Sequence, residues 1–280
     1  MKPVPVRLLA LDLDDTLLRS DLTISFYTRN IIKKAIKTGV GVVLASGRIP
    51  QAMEKFSGQL GLHKRPGYLI CDNGALIQES HTGKLVFEAR LPPDAALIAY
   101  DLASAEGFPV QIYEGAILYV SRKNEFDDYA QKLIGLRQVV LEDFRAKIRD
   151  GCYRLLIPGD PMILRPLEDL FRSYIGDDVT LFTSKPYFLE ILPPGIDKGT
   201  SLAKVAEAVG VKREEVMAVG DSMNDEAMIR WAGYGVAMLN GDERLKESAC
   251  LVTGRTNDDD GIADLVERFI LGTEPLPPPR

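Results

Sequence analysis

Three carboxylates, Asp12, Asp14 and Asp15, follow the apolar run VRLLAL and are closed by Thr16. A solvated turn, with one aspartate capping the next element, would use the same residues. Unpaired carboxylates at the end of a buried strand are costly, however, and three together repel one another unless a cation is bound. With no His or Cys beside them, a hard cation with oxygen ligands, Mg²⁺, is the economical partner. Given that metal and a phosphate, one carboxylate is able to act as nucleophile and its neighbour two residues on to handle protons. Ser46-Gly47-Arg48 ends a second apolar run, VGVVLA. It reads either as a plain turn or as a phosphate site, with the Ser46 hydroxyl donating and Gly47 letting a backbone N–H approach at the next helix start.

Two more clusters lie late in the chain. In Gly195-Ile196-Asp197-Lys198-Gly199-Thr200, Lys198 sits at a helix N-terminus, the end where the dipole opposes a cation. Either Asp197 pairs with it in solvent, or an anion lies between the lysine and the helix end. On the dipole argument its removal leaves stability unchanged. In Gly220-Asp221-Ser222-Met223-Asn224-Asp225, Asp225 suits a first helical turn and is equally a structural cap. Asp221 ends its strand, where a second metal carboxylate has to come from. Asn73-Gly74 reads as a tight turn, and His63 and His81 as lone loop residues. Glu190, odd in an apolar strand, is expected to hydrogen-bond the loop near Lys198.

These clusters need a scaffold that brings strand ends together. Strand, helix (about Ser25 to Thr38), strand, helix and strand GYLIC alternate up to Asp72, the rhythm of a parallel sheet whose carboxyl-end loops bind ligands. Residues 75–91 read as a hairpin turning at His81-Thr82-Gly83. Then come a helix (Pro93 to Glu106), strands Phe108 to Tyr113 and Ala116 to Ser121, and a second helix. Strand Arg154 to Ile157, helix Pro161 to Tyr174 and a strand near Val179 complete an α+β pattern. After Phe188–Ile191 the βα rhythm resumes: helix Thr200 to Val209, strand Val216 to Val219, helix Asp225 to Trp231 and strand Gly235 to Met238. The expected fold is α/β, a Rossmann-like parallel-sheet core with helices on both faces, interrupted by an α+β insert. Residues 1–84 and 190–280 form the core, 85–189 the insert, and 274–280 a disordered proline-rich tail.

Composition narrows the partners. The 280 residues carry 40 acids against 34 bases, a net charge of −6, which disfavours nucleic acid and anionic membranes. Two histidines and three scattered cysteines make neither a zinc cage nor a disulfide framework. No apolar run approaches the roughly 20 residues of a membrane helix. A cytoplasmic protein is expected.

DLDDT, LASGR, IDKG and VGDSMND, in this order at strand ends, resemble the four motifs of the haloacid dehalogenase-like superfamily. FLEILPPGIDKGTSL, GDSMNDEAM and the late TNDDDGIA are similar to its Cof-type (subfamily IIB) phosphatases, and the insert's position implies a C2B-type cap. The resemblance implies an aspartyl-phosphate formed on Asp12, with Asp14 protonating the leaving alcohol and then taking a proton from water. It implies Mg²⁺ held by Asp12, the Asp14 carbonyl and Asp221, with Asp225 in support. The phosphoryl oxygens would meet Ser46, the backbone of Leu13 and Gly47, Lys198 and Asn224. Asp15 stands where the family usually has glycine, so its side chain is expected to point away from the phosphate. The expected reaction is Mg²⁺-dependent hydrolysis of a small phosphorylated metabolite, a sugar phosphate or similar. A phosphomutase is the nearest alternative; a receiver-like phospho-acceptor switch ranks below it, because receivers carry the acceptor on a later strand of a much shorter chain. Specificity is expected from the insert, where Tyr113, Tyr119, Arg122, Arg154 and Tyr187 are open candidates.

Overall fold

The computed structural model describes residues 5–65, 67–125, 136–176, 178–272 and 274–279. The chain divides into two units, one of residues 1–86 with 197–280 and one of 87–196. The first begins with strands β1 (Leu8–Leu11), β2 (Gly41–Ala45), β3 (Tyr68–Cys71) and β4 (Leu76–Glu79); β5 (Leu85–Glu88) runs to the boundary. The second carries β6 (Gln111–Glu114), β7 (Ile117–Val120), β8 (Arg137–Val140), β9 (Leu155–Pro158), β10 (Thr180–Lys185) and β11 (Phe188–Leu192). The first unit resumes with β12 (Val216–Gly220), β13 (Tyr234–Ala237) and β14 (Leu251–Val252).

Strands of the first unit form one sheet in the order β14-β13-β12-β1-β2-β3-β4-β5. Pairing is parallel from β14 through β3, and β4 runs antiparallel to β3. Every residue of β1, β12 and β13 is buried, as strands covered on both faces must be. Helices 50–60 and 261–266 both pack on helix 26–37, and helices 198–208 and 243–248 both pack on helix 226–231. Helix Phe26–Lys37 starts because the Ser25 side chain accepts the Thr28 N–H, and it turns Ile31, Ile32 and Ala35 inward at helical spacing.

In the second unit the sheet order is β10-β11-β9-β6-β7-β8. Its pairs are antiparallel except β7 with β8. Helices 93–105, 144–149 and 161–175 supply Ala99, Phe144, Leu167 and Phe171 to a core shared with Ile112, Leu155, Ile157, Leu189 and Ile191 of the strands. The odd-numbered residues of β9 and β11 enter this core, so Glu190 faces the other way. There it pairs with Arg154 at 2.5 Å, and the Arg154 guanidinium lies 4.9 Å from the Tyr113 ring centre. The strand expected from Phe108 begins only at Gln111, because Phe108 N–H closes the preceding helix on Ala103 O beyond Gly107. Of the second helix expected after Ser121, residues 126–135 lie outside the described residues; helix 144–149 follows β8.

Candidate functional site

Register decides which residues can meet. Leu11 pairs with Leu44 and Val219, and Ala45 with Ile70, so β1, β2, β3 and β12 end at one edge. Backbone bonds carry that alignment into the loops: Asp12 N–H donates to Val219 O at 3.0 Å, Ser46 N–H to Ile70 O at 2.9 Å and Asn73 N–H to Ser46 O at 3.0 Å. After Asp12 the chain makes one wide turn, closed by Leu18 N–H on Leu13 O at 2.8 Å. Leu13, Leu17 and Leu18 anchor the turn in the core while Asp14 and Asp15 stay at its crown. Asp15 has φ 61°, the left-handed region that most L-residues avoid and aspartate tolerates. That conformation accounts for aspartate being acceptable at a position suited to glycine.

Lys198 is 1% exposed and lies between two carboxylates, its Nζ 2.6 Å from Asp12 Oδ1 and 2.6 Å from Asp225 Oδ1. The reading of Lys198 as a solvent partner of Asp197 is therefore overturned. Asp197 instead caps the helix, its side chain accepting the Thr200 N–H at 2.7 Å, and the lysine turns inward. Burial works to lower the Lys198 pKa, but Asp12 and Asp225 outweigh it and hold the ammonium above its ordinary value. Asp225 is wholly buried; its other oxygen accepts the N–H groups of Asp221 (3.0 Å) and Ser222 (3.2 Å). Asp221 accepts the Thr16 hydroxyl at 2.9 Å.

Oxygens of Asp12, Asp221 and Asp225 lie within 4.8 Å of one another, all three buried. Three carboxylates against one ammonium leave a net negative centre. Burial first, and then Asp225, push the Asp12 carboxyl up to about 7. An all-oxygen donor set with excess negative charge fits a hard divalent cation.

Asp14 stands apart from that trio. Its carboxylate takes both arms of the Arg48 fork, Nε at 2.8 Å and Nη2 at 2.5 Å, and Arg48 itself is packed over Phe56. The Arg48 N–H donates to Ser46 Oγ at 3.2 Å. A further group joins the strand ends: Asn224 Nδ2 donates to Asn73 Oδ1 at 3.0 Å, and the Asn224 oxygen accepts the Ser222 hydroxyl. Gly47 faces the same asparagine, since a Cβ there would sit 2.9 Å from Asn73 Nδ2. Asn73 does take a left-handed turn conformation (φ 52°), but it is buried and its side chain reaches the Asn224 loop, so it is more than the tight turn expected. The structure thus brings Asp12, Asp221, Asp225 and Lys198 into one cluster, couples Asp14 to Ser46 through Arg48, and sets Gly47 and Asn224 about Asn73. Arg48 and Thr16 had no assigned role in the sequence, and Asn73 had only that of a turn. Their signal was adjacency: Arg48 lies three residues past the end of β2, Thr16 five past the end of β1 and Asn73 two past the end of β3.

Comparison with known proteins gives the family and the fold. The family model for haloacid dehalogenase-like hydrolases matches residues 9–266. YxeH of Bacillus subtilis (strain 168), provisionally named a phosphatase, is 34% identical over 273 residues, covering 95% of this chain and 98% of its own. A second protein of that organism, 5-amino-6-(5-phospho-D-ribitylamino)uracil phosphatase YcsE, is 32% identical over 271 residues, covering 96% and 97%. Among solved structures, a haloacid dehalogenase-like hydrolase from Bacteroides thetaiotaomicron superposes with a TM-score of 0.83 at 35% identity, covering 94% of this chain and 99% of that one. Family match, relatives and fold together place this chain among the haloacid dehalogenase-like hydrolases, as a phosphatase of the Cof type.

Proposed function

We propose that the chain hydrolyses phosphomonoesters of small metabolites through a covalent phosphate on Asp12, with Mg²⁺ as cofactor, in the cytoplasm. The observation that carries this reading is the buried trio of carboxylates with Lys198 inserted between two of them. Held by Asp12, the Asp14 carbonyl and Asp221, with Asp225 behind, Mg²⁺ would neutralise the carboxylates and draw charge from the phosphoryl oxygens. An Asp12 oxygen attacks phosphorus and the ester P–O bond breaks, while Asp14 gives its proton to the departing alcohol. Asp14 then takes a proton from water, whose oxygen attacks phosphorus, and the bond to Asp12 breaks to release orthophosphate. Lys198 offsets charge between Asp12 and the phosphoryl group; Ser46, the Leu13 and Gly47 N–H groups and Asn224 donate to its oxygens. Arg48 fixes the Asp14 carboxylate through two parallel bonds. YcsE, by its name, acts on a phosphorylated ribityl chain, so sugar and polyol phosphates head the substrate panel.

Separating the two aspartates tests the scheme. Asp12→Asn is expected to abolish turnover. Asp14→Asn retains the nucleophile but loses proton transfer, worth about 10²–10⁴-fold. With an activated aryl phosphate, whose phenolate leaves without a proton, Asp14→Asn should give a phenol burst near one equivalent and then slow turnover. Acid-quenched protein should carry phosphate on Asp12 by mass spectrometry. Neither burst nor adduct with Asp14→Asn, but both with Asp12→Asn, would reverse the roles.

A further inference from the structure

TNDDDGIA, close to the C-terminus, has no part in the chemistry above, yet it reaches back to the turn that bears Asp14. Asp15 O accepts Asn240 Nδ2 at 2.8 Å, Asn240 Oδ1 accepts the Asn257 N–H at 3.0 Å, and Asn257 Nδ2 donates to Leu18 O at 2.9 Å. One carbonyl within the turn and one at its exit are therefore tied, through two side-chain amides, to a single distant segment. The clasp continues beyond Leu18: Ser20 bonds Asp258 through N–H and hydroxyl, and Arg19 pairs with Asp260 at 3.3 Å. Asn240 stands on a loop that is itself fixed to the end of β12, Met238 N–H on Gly220 O at 2.9 Å and Asp242 N–H on Asp221 O at 2.8 Å.

The backbone explains what such a clasp would do. Asp15 is the left-handed link between Asp14, which is extended (φ −71°, ψ 127°), and Thr16, which is buried against Asp221. If Asp15 relaxed toward an ordinary conformation, the direction in which Asp14 leaves the turn would change. The Asn240 bond to the Asp15 carbonyl opposes that relaxation, and the Asn257 bond to Leu18 holds the far end still. We infer that Asn240 and Asn257 are positioning residues for Asp14, holding the turn in the geometry from which its carboxyl transfers a proton. This rests on the reading of Asp14 as the proton carrier.

A residue that acts through Asp14 has a signature that general loosening lacks. Departure of an alkoxide needs the proton and departure of an activated phenolate does not, so loss of positioning should penalise alkyl esters selectively. The experiment compares kcat/KM, which reports the first chemical step, for a good alkyl phosphate and for 4-nitrophenyl phosphate with full-length enzyme and Mg²⁺. Asn240→Ala changes a surface residue; Asn240→Asp keeps size and acceptor but loses the donor; Asn257→Ala tests the buried partner. Each folded variant is expected to lose about 10-fold on the alkyl ester and less than about 2-fold on the aryl ester. Asp14→Asn, run alongside, should lower the alkyl-to-aryl ratio further. If Asp14→Asn leaves that ratio unchanged, the reading of Asp14 fails and this inference fails with it. If Asp14→Asn lowers it while Asn240→Ala and Asn240→Asp affect both esters equally or not at all, the asparagines are merely structural and the inference alone is overturned.

Discussion

A buried ammonium between two carboxylates makes all three groups dependent on one another. Truncating Lys198 leaves two desolvated carboxylates without their shared countercharge, so Lys198→Ala should destabilise the metal-free protein by about 3–5 kcal/mol. Helix-dipole reasoning alone gave no loss; the tertiary partners reverse it. Turnover should also drop by about 10²-fold or more, because charge on the phosphoryl group loses its counterweight. Chemical denaturation and steady-state kinetics check both parts, and an unshifted denaturation midpoint would return Lys198 to the surface. Asp12 carries the pH dependence. Its carboxyl is raised from 3.8 to about 7, so between those values the folded protein keeps a proton that the unfolded chain has released. The stability it contributes is complete below the lower value and lost as pH rises through the upper one. The proposed Mg²⁺ would bind the ionised form, so it should raise the melting temperature more at about pH 8 than at about pH 5. A larger gain on the acid side would contradict the assigned shift. The acids themselves were legible because carboxylates at the ends of apolar runs have no bland explanation together. The partners of Lys198 were not, because one of them lies 186 residues away and the helix dipole is a local argument. Arg48 was hidden in the same way, its guanidinium finding Asp14 only once β1 and β2 align.

Strands buried on both faces announced themselves as unbroken apolar runs, and their alternation with helices pointed to a parallel sheet. Close approach between helices left less trace in the sequence. Gly199 belongs to the helix beginning at Lys198, and a Cβ there would lie 2.5 Å from the carbonyl of Ala227 in the helix that follows Asp225. Gly199→Ala must therefore separate the two elements that deliver Lys198 and Asp225. An overpacked contact of this kind costs about 1–3 kcal/mol, and displacement of the pair should lower kcat about 10-fold or more. Gly58, also helical, has nothing within 4 Å of its would-be Cβ. Gly58→Ala should thus gain about 0.5–1 kcal/mol and leave kcat alone. If the two alanine variants behave alike, helix approach is not what positions the lysine. In the second unit the strand ends were misjudged for a related reason: where a helix stops depends on which carbonyl its last N–H groups find, as Phe108 does on Ala103.

The second unit encloses its own apolar core, built from Ala99, Phe144, Phe171, Ile157 and Ile191, and the first unit encloses another around β1, β2 and β12. Two cores on one chain, with the backbone passing from one to the other at residues 86–87 and 196–197, are expected to give two cooperative units. Each has a chemical handle that the other lacks. On the proposed reading Mg²⁺ is held by the carboxylates Asp12 and Asp221 of the first unit, so it should raise that unit's transition in proportion to the logarithm of its concentration. Arg154 and Glu190 form a buried ion pair of the second, with side chains 7% and 3% exposed. Arg154→Leu removes the countercharge from a buried carboxylate, a loss of about 3–5 kcal/mol, or roughly 12–20 °C for a unit of that size. Replacing both, as Arg154→Leu with Glu190→Leu, should recover most of it, since an apolar pair of similar volume leaves no charge buried. Scanning calorimetry of the full chain is therefore expected to resolve two transitions, one moved by Mg²⁺ alone and the other by Arg154→Leu alone. A single endotherm that shifts as a whole with both would mean the units unfold as one, and that the insertion of the second into the first has fused their stabilities.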